Sequence, residues 1–164
     1  MKKETYIKMV NNVKEHKHLV RALVFANQIL TGIVYISFPI LLVTLGYNRR
    51  FRDLIKIVLV CGISFVLVSV FRHFYNAKRP YYLYEYEPIV AKEKEGHSMP
   101  SRHVFSAFVI AMSFAYINWK FSIIFFVVAI LIAVHRVIVG VHFIKDVVVG
   151  ALIGIAAGSI LFFV

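Results

Sequence analysis

Long apolar segments separated by short polar ones dominate the chain. No Asp, Glu, Lys or Arg occurs between Ala22 and Leu45, or between Val147 and Val164. About 20 helical residues are enough to cross about 30 Å of hydrocarbon. The pattern therefore predicts an all-α, polytopic membrane helix bundle of about five transmembrane helices. The predicted spans are about 22–45, 54–71, 103–119, 121–141 and 146–164.

The N-terminal segment, residues 3–20, carries a different pattern. Tyr6, Met9, Val10 and Val13 recur at helical spacing, and lysines lie off that stripe. This pattern predicts an amphipathic helix lying at the membrane interface, with a frayed basic tail as the alternative.

The polar segments are expected to meet on one face of the membrane. The longest of them, residues 72–102, lies between the second and third spans. Because successive spans alternate in direction, this segment, the start of the third span, the 135–146 connection and the N-terminal helix share that face.

The composition agrees with one integral membrane domain over residues 1–164. The chain is 60% apolar and 16% charged, which excludes an ordinary soluble domain. Its net charge of +11 favours anionic lipid head groups as partners rather than nucleic acid. A single cysteine, Cys61, excludes an intrachain disulfide and a cysteine-based metal cluster.

Three short motifs on the shared face carry the candidate chemistry. They are Arg72-x6-Arg79-Pro80, Pro100-Ser101-Arg102-His103 and Arg136-x5-His142-x3-Asp146. In order and internal spacing they resemble the signature motifs of the type 2 phosphatidic acid phosphatase superfamily, K-x6-R-P, P-S-G-H and S-R-x5-H-x3-D. The resemblance implies a metal-independent membrane lipid phosphatase with no cofactor.

The third motif pairs a histidine with a carboxylate. His142 and Asp146 are four residues apart and become neighbours if one helix continues through both. A carboxylate orients an imidazole, so His142 is the natural nucleophile, and the resemblance implies a phosphohistidine intermediate. His103 is expected to act as the general acid and base.

Positive charge surrounds these histidines. Arg72, Arg79 and Arg136 are predicted to clamp the phosphate, because guanidinium groups match phosphate oxygens. Ser101 is expected to cap the third span and to donate to phosphate, and Arg102 either to add another cation to the site or to crowd it.

Three residues depart from the family motifs. Arg72 stands at a usual Lys, Arg102 at a usual Gly, and His135 at the Ser that normally precedes the arginine. None of these changes removes the nucleophile, its carboxylate or the general acid.

Several substrates and two other functions are compatible with these residues. The lipid substrate is expected to be a polyprenyl pyrophosphate, phosphatidylglycerol phosphate, phosphatidic acid or a lipid A-type phosphate. The alternatives are a catalytically inactive lipid-binding protein and a bis-histidine haem protein, for which the ligands would be drawn from His73, His103, His135 and His142.

Two further features concern assembly and orientation. Gly150, Gly154 and Gly158 recur every four residues, which predicts close packing inside the bundle or, as an alternative, a homodimer face. The three arginines of 49–52 favour a cytoplasmic loop and therefore an outward-facing site in a bacterial cytoplasmic membrane. Six basic residues between Lys2 and Arg21 oppose this orientation.

Overall fold

A computed structural model describes residues 3–90 and 95–164, and within these ranges every regular element is helical. The elements are α1 (Lys3–Lys14), α2 (Lys17–Tyr47), α3 (Phe51–Tyr75), α4 (Pro80–Leu83), α5 (Arg102–Ile117), α6 (Trp119–Ile138), α7 (Ile144–Ser159) and a 3-10 turn (Ile160–Phe162). The predicted all-α membrane bundle is confirmed. Residues 1–2 and 91–94, which belong to the predicted polar segments, lie outside the description.

The helices differ in how they meet the membrane. In the described part of the chain, α2, α3, α6 and α7 are long and apolar enough to cross it. The fifth apolar helix, α5, has 16 residues and reaches only about 24 Å. It packs along α6 and α7 and also touches α2 and α3. The chain is thus an integral membrane protein whose shortest apolar helix occupies the centre of the bundle.

The glycine stripe of α7 explains how close α5 comes. Gly150, Gly154 and Gly158 are buried against α5. A Cβ added at Gly150 would lie 2.8 Å from the Ser101 carbonyl oxygen, and one at Gly154 would lie 2.7 Å from that of Phe105. The homodimer alternative for this stripe is wrong, because the same chain already covers it.

The N-terminal helix packs on the protein itself. It ends at Lys14, and α2 begins at Lys17, so the predicted boundary near residue 20 is corrected. Tyr6 and Val10 of the apolar stripe are 1% and 0% exposed. Val10 approaches Gly140, whose φ of +81° is a conformation that glycine adopts readily. The buried part of the stripe thus contacts the connection between α6 and α7.

Candidate active site

The site forms where several helices end together. Its residues come from the last turns of α3 and α6, the first turns of α5 and α7 and the connection between α6 and α7, and Arg79 precedes α4. The backbone joins these ends directly, since the Ser101 N–H donates to the Asp146 carbonyl at 2.9 Å. The polar segment is held in the same way, by a bond from the Ser98 N–H to the Ala77 carbonyl at 2.9 Å.

His142 and Asp146 form a completely buried pair. His142 Nδ1 lies 3.6 Å from Asp146 Oδ2, and each side chain is 1% exposed. Asp146 Oδ2 also accepts a hydrogen bond from Ser98 Oγ at 2.5 Å. Ser98 Oγ in turn lies 3.4 Å from His142 Nδ1. Because Nδ1 faces this carboxylate, Nε2 is the ring nitrogen that faces away from it.

The pair does not lie on one continuous helix, which corrects the sequence-based geometry. The predicted span 121–141 ends early, at Ile138, and α7 begins at Ile144, so His142 belongs to the connection. Two hydrogen bonds fix that connection, since the N–H groups of Val141 and His142 both donate to the Arg136 carbonyl at 3.3 Å. The Phe143 N–H donates to Asp146 Oδ2 at 3.1 Å, so the carboxylate also caps α7.

Burial sets the protonation state of His142. It lowers the pKa of His142 to about 4, and the charges of Arg79 and Arg136 act in the same direction. Asp146 opposes this shift without cancelling it. His142 is therefore a neutral imidazole at neutral pH, which is the form able to attack phosphorus.

His142 opens onto a cavity of about 260 Å³, referred to below as the polar cavity. Five of the eight predicted site residues line it, namely Arg72, Arg79, Arg102, His103 and His142. Its other lining residues are Ser69, His73 and His97. Across residues 3–90 and 95–164, no group of three or more His, Cys, Asp or Glu side chains is arranged to hold a metal ion.

The first motif supplies two buried arginines. The Arg72 guanidinium donates to the Pro100 carbonyl, which ties α3 to the second motif. Arg79 Nε donates to the Gly96 carbonyl at 3.3 Å. The two side chains are only 6% and 3% exposed, so their charges act within a poorly solvated environment.

The other predicted residues are buried outside the lining of the polar cavity. Asp146, Ser101 and Arg136 are buried and do not line the polar cavity. Ser101 is the N-cap residue of α5, but its side chain makes no capping bond, and Oγ has no hydrogen-bond partner among the described residues. His135 Nε2 lies 2.9 Å from the Leu23 carbonyl oxygen, so this histidine faces α2.

The motif analysis did not predict three residues that hold the site in place through hydrogen bonds. Ser98 lies just before the second motif, but nothing in its spacing connects it to His142. Tyr6 donates to the His142 carbonyl at 2.7 Å and to that of Val137 at 3.2 Å. Tyr86 donates to the Gly140 carbonyl at 2.7 Å. Burial raises the pKa of both phenols, so each hydroxyl remains a donor.

Comparisons with known proteins give matches to one family and to two solved folds. Residues 53–164 match the model of the PAP2 superfamily. The fold is similar to the crystal structure of Aquifex aeolicus LpxE, with 31% identity, a TM-score of 0.77, and coverage of 98% of this chain and 94% of that chain. A transmembrane PAP2-type phosphatidylglycerolphosphate phosphatase from Bacillus subtilis is similar at 24% identity and a TM-score of 0.63, with 97% and 91% coverage. No curated protein matches the chain significantly.

Proposed function

Because the chain belongs to the PAP2 superfamily, the type 2 phosphatidic acid phosphatases, we propose that it hydrolyses a membrane lipid phosphate through a phosphohistidine intermediate. The observation that carries this proposal is the convergence of neutral His142, His103 and two buried arginines on one cavity. A carboxylate behind His142 completes the arrangement that a nucleophilic imidazole needs.

In the first half-reaction the phosphate enters the polar cavity, and its oxygens face Arg72 and Arg79. His142 Nε2 attacks phosphorus, and a P–N bond forms as the P–O bond to the lipid breaks. The departing oxygen takes the bonding electron pair and a proton from His103. Asp146 stabilises the positive charge that develops on the His142 ring.

In the second half-reaction a water molecule attacks the phosphohistidine from the side that the lipid has left. His103 accepts the proton of that water, the P–N bond breaks, and His142 recovers its electron pair. Inorganic phosphate is the product. The buried arginines stabilise the charge on the phosphate oxygens in both steps, and one such donor is typically worth about 3 kcal/mol.

The membrane position of the site supports a lipid substrate. The polar cavity lies at the ends of membrane-crossing helices, so a phosphate can enter it while the attached tail remains among lipids. Polyprenyl pyrophosphate, phosphatidylglycerol phosphate, phosphatidic acid and lipid A-type phosphates all satisfy this condition. We place the protein in a bacterial cytoplasmic membrane with the site facing outward, since the arginine-rich 49–52 loop is then cytoplasmic.

The experiment is phosphate release by detergent-purified protein from these four lipids, with EDTA present. We expect release to persist in EDTA, because the arginines supply the positive charge. His142→Ala is expected to abolish release, and His103→Ala to reduce it by at least about 100-fold. Trapping of labelled phosphate on protein should occur in wild type and disappear in His142→Ala.

Other outcomes would contradict the proposal in different ways. Equal phosphate release by wild type and His142→Ala would overturn the phosphohistidine mechanism. Head-group binding without release in either protein would indicate the inactive lipid-binding alternative. A Soret absorption band from the purified protein would indicate the haem alternative.

A further inference from the structure

Arg102 links the polar cavity to a second space, the leaving-group cavity. This space of about 230 Å³ is lined by Thr31, Val34, Tyr35, Phe65, Arg102, His103, Ser106 and Ile132. Arg102 and His103 line both cavities, so they form the boundary between them. The leaving-group cavity therefore begins at His103, which is the general acid of the proposed mechanism.

The geometry of displacement at phosphorus assigns an occupant to this second cavity. The attacking and leaving groups lie roughly in line on opposite sides of phosphorus. His142 attacks from the polar cavity, and His103 protonates the departing oxygen. The part of the substrate that leaves must therefore extend past His103, into the leaving-group cavity.

Arg102 is the one permanently charged side chain among the described residues that line this cavity. Its guanidinium lies over the Phe65 ring, 5.6 Å from the centroid. Within the described part of the chain, no carboxylate forms an ion pair with it. An arginine on a lipid-accessible helix end is unfavourable unless an anion or water is available to it. The leaving-group cavity is therefore built to accept negative charge.

We propose that the preferred substrate carries a second phosphate on the leaving side, and that Arg102 binds this second phosphate. The proposal rests on the proposed function and deepens it. The P–O bond between the terminal phosphorus and the bridging oxygen breaks, and the departing phosphorylated lipid takes the electron pair and the His103 proton. A diphosphate places its second charge directly beside His103, whereas phosphatidylglycerol phosphate places it several bonds further away.

A third cavity gives the lipid tail a continuous path. This space of about 310 Å³ shares Phe65 and Ser106 with the leaving-group cavity, and most of its lining is apolar, including Phe38, Leu42 and Val109. The transferred phosphate thus meets the arginines of the polar cavity. The leaving group meets Arg102 and hydroxyl groups, and the tail meets apolar side chains.

The test compares kcat/KM for three lipids in wild type, Arg102→Gln and Arg102→Lys. The lipids are a polyprenyl diphosphate, phosphatidylglycerol phosphate and phosphatidic acid, whose leaving group is uncharged. We expect Arg102→Gln to lower the ratio of diphosphate to phosphatidic acid activity by about 10- to 100-fold. Arg102→Lys should restore most of this ratio, because it keeps the charge. The ratio is measured within one preparation, so partial misfolding does not change it.

Lys8→Gln is the matched control for surface charge, since Lys8 is an exposed cation of α1. It should leave the ratio unchanged. If Arg102→Gln lowers kcat/KM for phosphatidylglycerol phosphate as much as for the diphosphate, Arg102 also binds the phosphodiester of that leaving group. Equal losses for all three lipids in Arg102→Gln would show that Arg102 binds the transferred phosphate and would overturn the proposal. Absence of His142-dependent release in wild type would overturn the proposed function itself.

Discussion

Burial of a single imidazole couples the chemistry of the site to the stability of the protein. The pKa of His142 is about 4 in the folded chain, against about 6.5 for an exposed histidine. Above pH 6.5 the side chain is neutral in both the folded and unfolded states. As the pH falls below 6.5, the unfolded chain binds a proton that the folded chain excludes, so stability decreases until about pH 4.

We therefore expect His142→Asn to be less sensitive to acid than wild type. Thermal unfolding of detergent-purified protein at pH 7 and pH 5 would show a smaller decrease for the variant, by roughly 1–2 kcal/mol. His18→Asn removes an exposed histidine of α2 and should behave like wild type. An equal decrease in wild type and His142→Asn would show that this histidine is protonated in the folded state.

Ser98 is the second residue whose removal should be informative. Ser98→Ala removes the 2.5 Å hydrogen bond to Asp146 and the neighbour of His142 Nδ1. We expect kcat to fall by about 10- to 100-fold with little change in KM, because the carboxylate no longer holds the imidazole in one orientation.

Ser122→Ala is the matched control for this substitution. Ser122 is also buried, and its Oγ donates to the Trp119 carbonyl at the opposite end of α6. Its kinetics should equal those of wild type. A Ser98→Ala variant that changes KM alone would contradict an orienting role.

Motif spacing selected candidate side chains that the fold brings together, but it did not predict their supports. Of the eight residues chosen from charge, order and spacing, five line the polar cavity, including His142 and His103. The hydrogen bond of Ser98 crosses 48 residues of sequence and depends on how the polar segment folds back. Likewise, Ser101 occupies the predicted N-cap position, but its hydroxyl is buried and makes no capping bond.

Among the elements, the contact between α5 and α7 is the most sensitive to added volume. Gly154→Ala would place a Cβ 2.7 Å from a backbone oxygen of α5, which a side-chain rotation cannot relieve. We expect it to lower the free energy of unfolding by about 1–3 kcal/mol. It should also reduce activity, because the same two helices carry His103 and Asp146.

Gly62→Ala is the corresponding control in α3. Among the described residues, no atom outside its own helix lies within 4 Å of a Cβ at this position, and alanine has the higher helix propensity. Its thermal unfolding midpoint should equal or exceed that of wild type. A Gly154→Ala protein as stable as Gly62→Ala would show that α5 and α7 can move apart without a decrease in the free energy of unfolding.

The N-terminal helix holds the backbone of His142, the proposed nucleophile, through Tyr6. Tyr6→Phe keeps the ring but removes both hydrogen bonds to the 137–142 backbone. We expect kcat to fall by about 10-fold while KM stays within a factor of two, since Arg72 and Arg79, which are proposed to bind the phosphate, are untouched. Tyr47→Phe changes an exposed tyrosine at the far end of α2 and should have no effect.

Amphipathic spacing predicted the existence of α1 but not its partner. The stripe of Tyr6 and Val10 suits a lipid surface as well as a protein surface, since both are apolar. Only the fold shows that the backbone carbonyls of Val137 and His142 accept hydrogen bonds from Tyr6. The helix end at Ile138 was similarly not predictable from periodicity, because apolar residues continue beyond it at Val139 and Val141.

For the whole molecule, the alternation of the five apolar helices puts Lys8 and Asn48 on opposite faces of the membrane. With the proposed outward-facing site, Lys8→Cys in a Cys61→Ala background should react with a membrane-impermeant thiol reagent in intact cells. Asn48→Cys should react only after the cells are opened. The reverse pattern would place the site in the cytoplasm and favour substrates made on that side.

The backbone hydrogen bond that joins the N-termini of α5 and α7 has an electrostatic consequence that does not depend on side chains. Each helix has a macrodipole equivalent to about half a positive charge at its N-terminus. The Ser101–Asp146 backbone bond holds both N-termini at the same end of the bundle. The peptide groups of these two helix N-termini therefore supply part of the attraction for an oxyanion in the site. It would survive replacement of every arginine in the site, and it acts only within about one helical turn, where the transferred phosphate must lie.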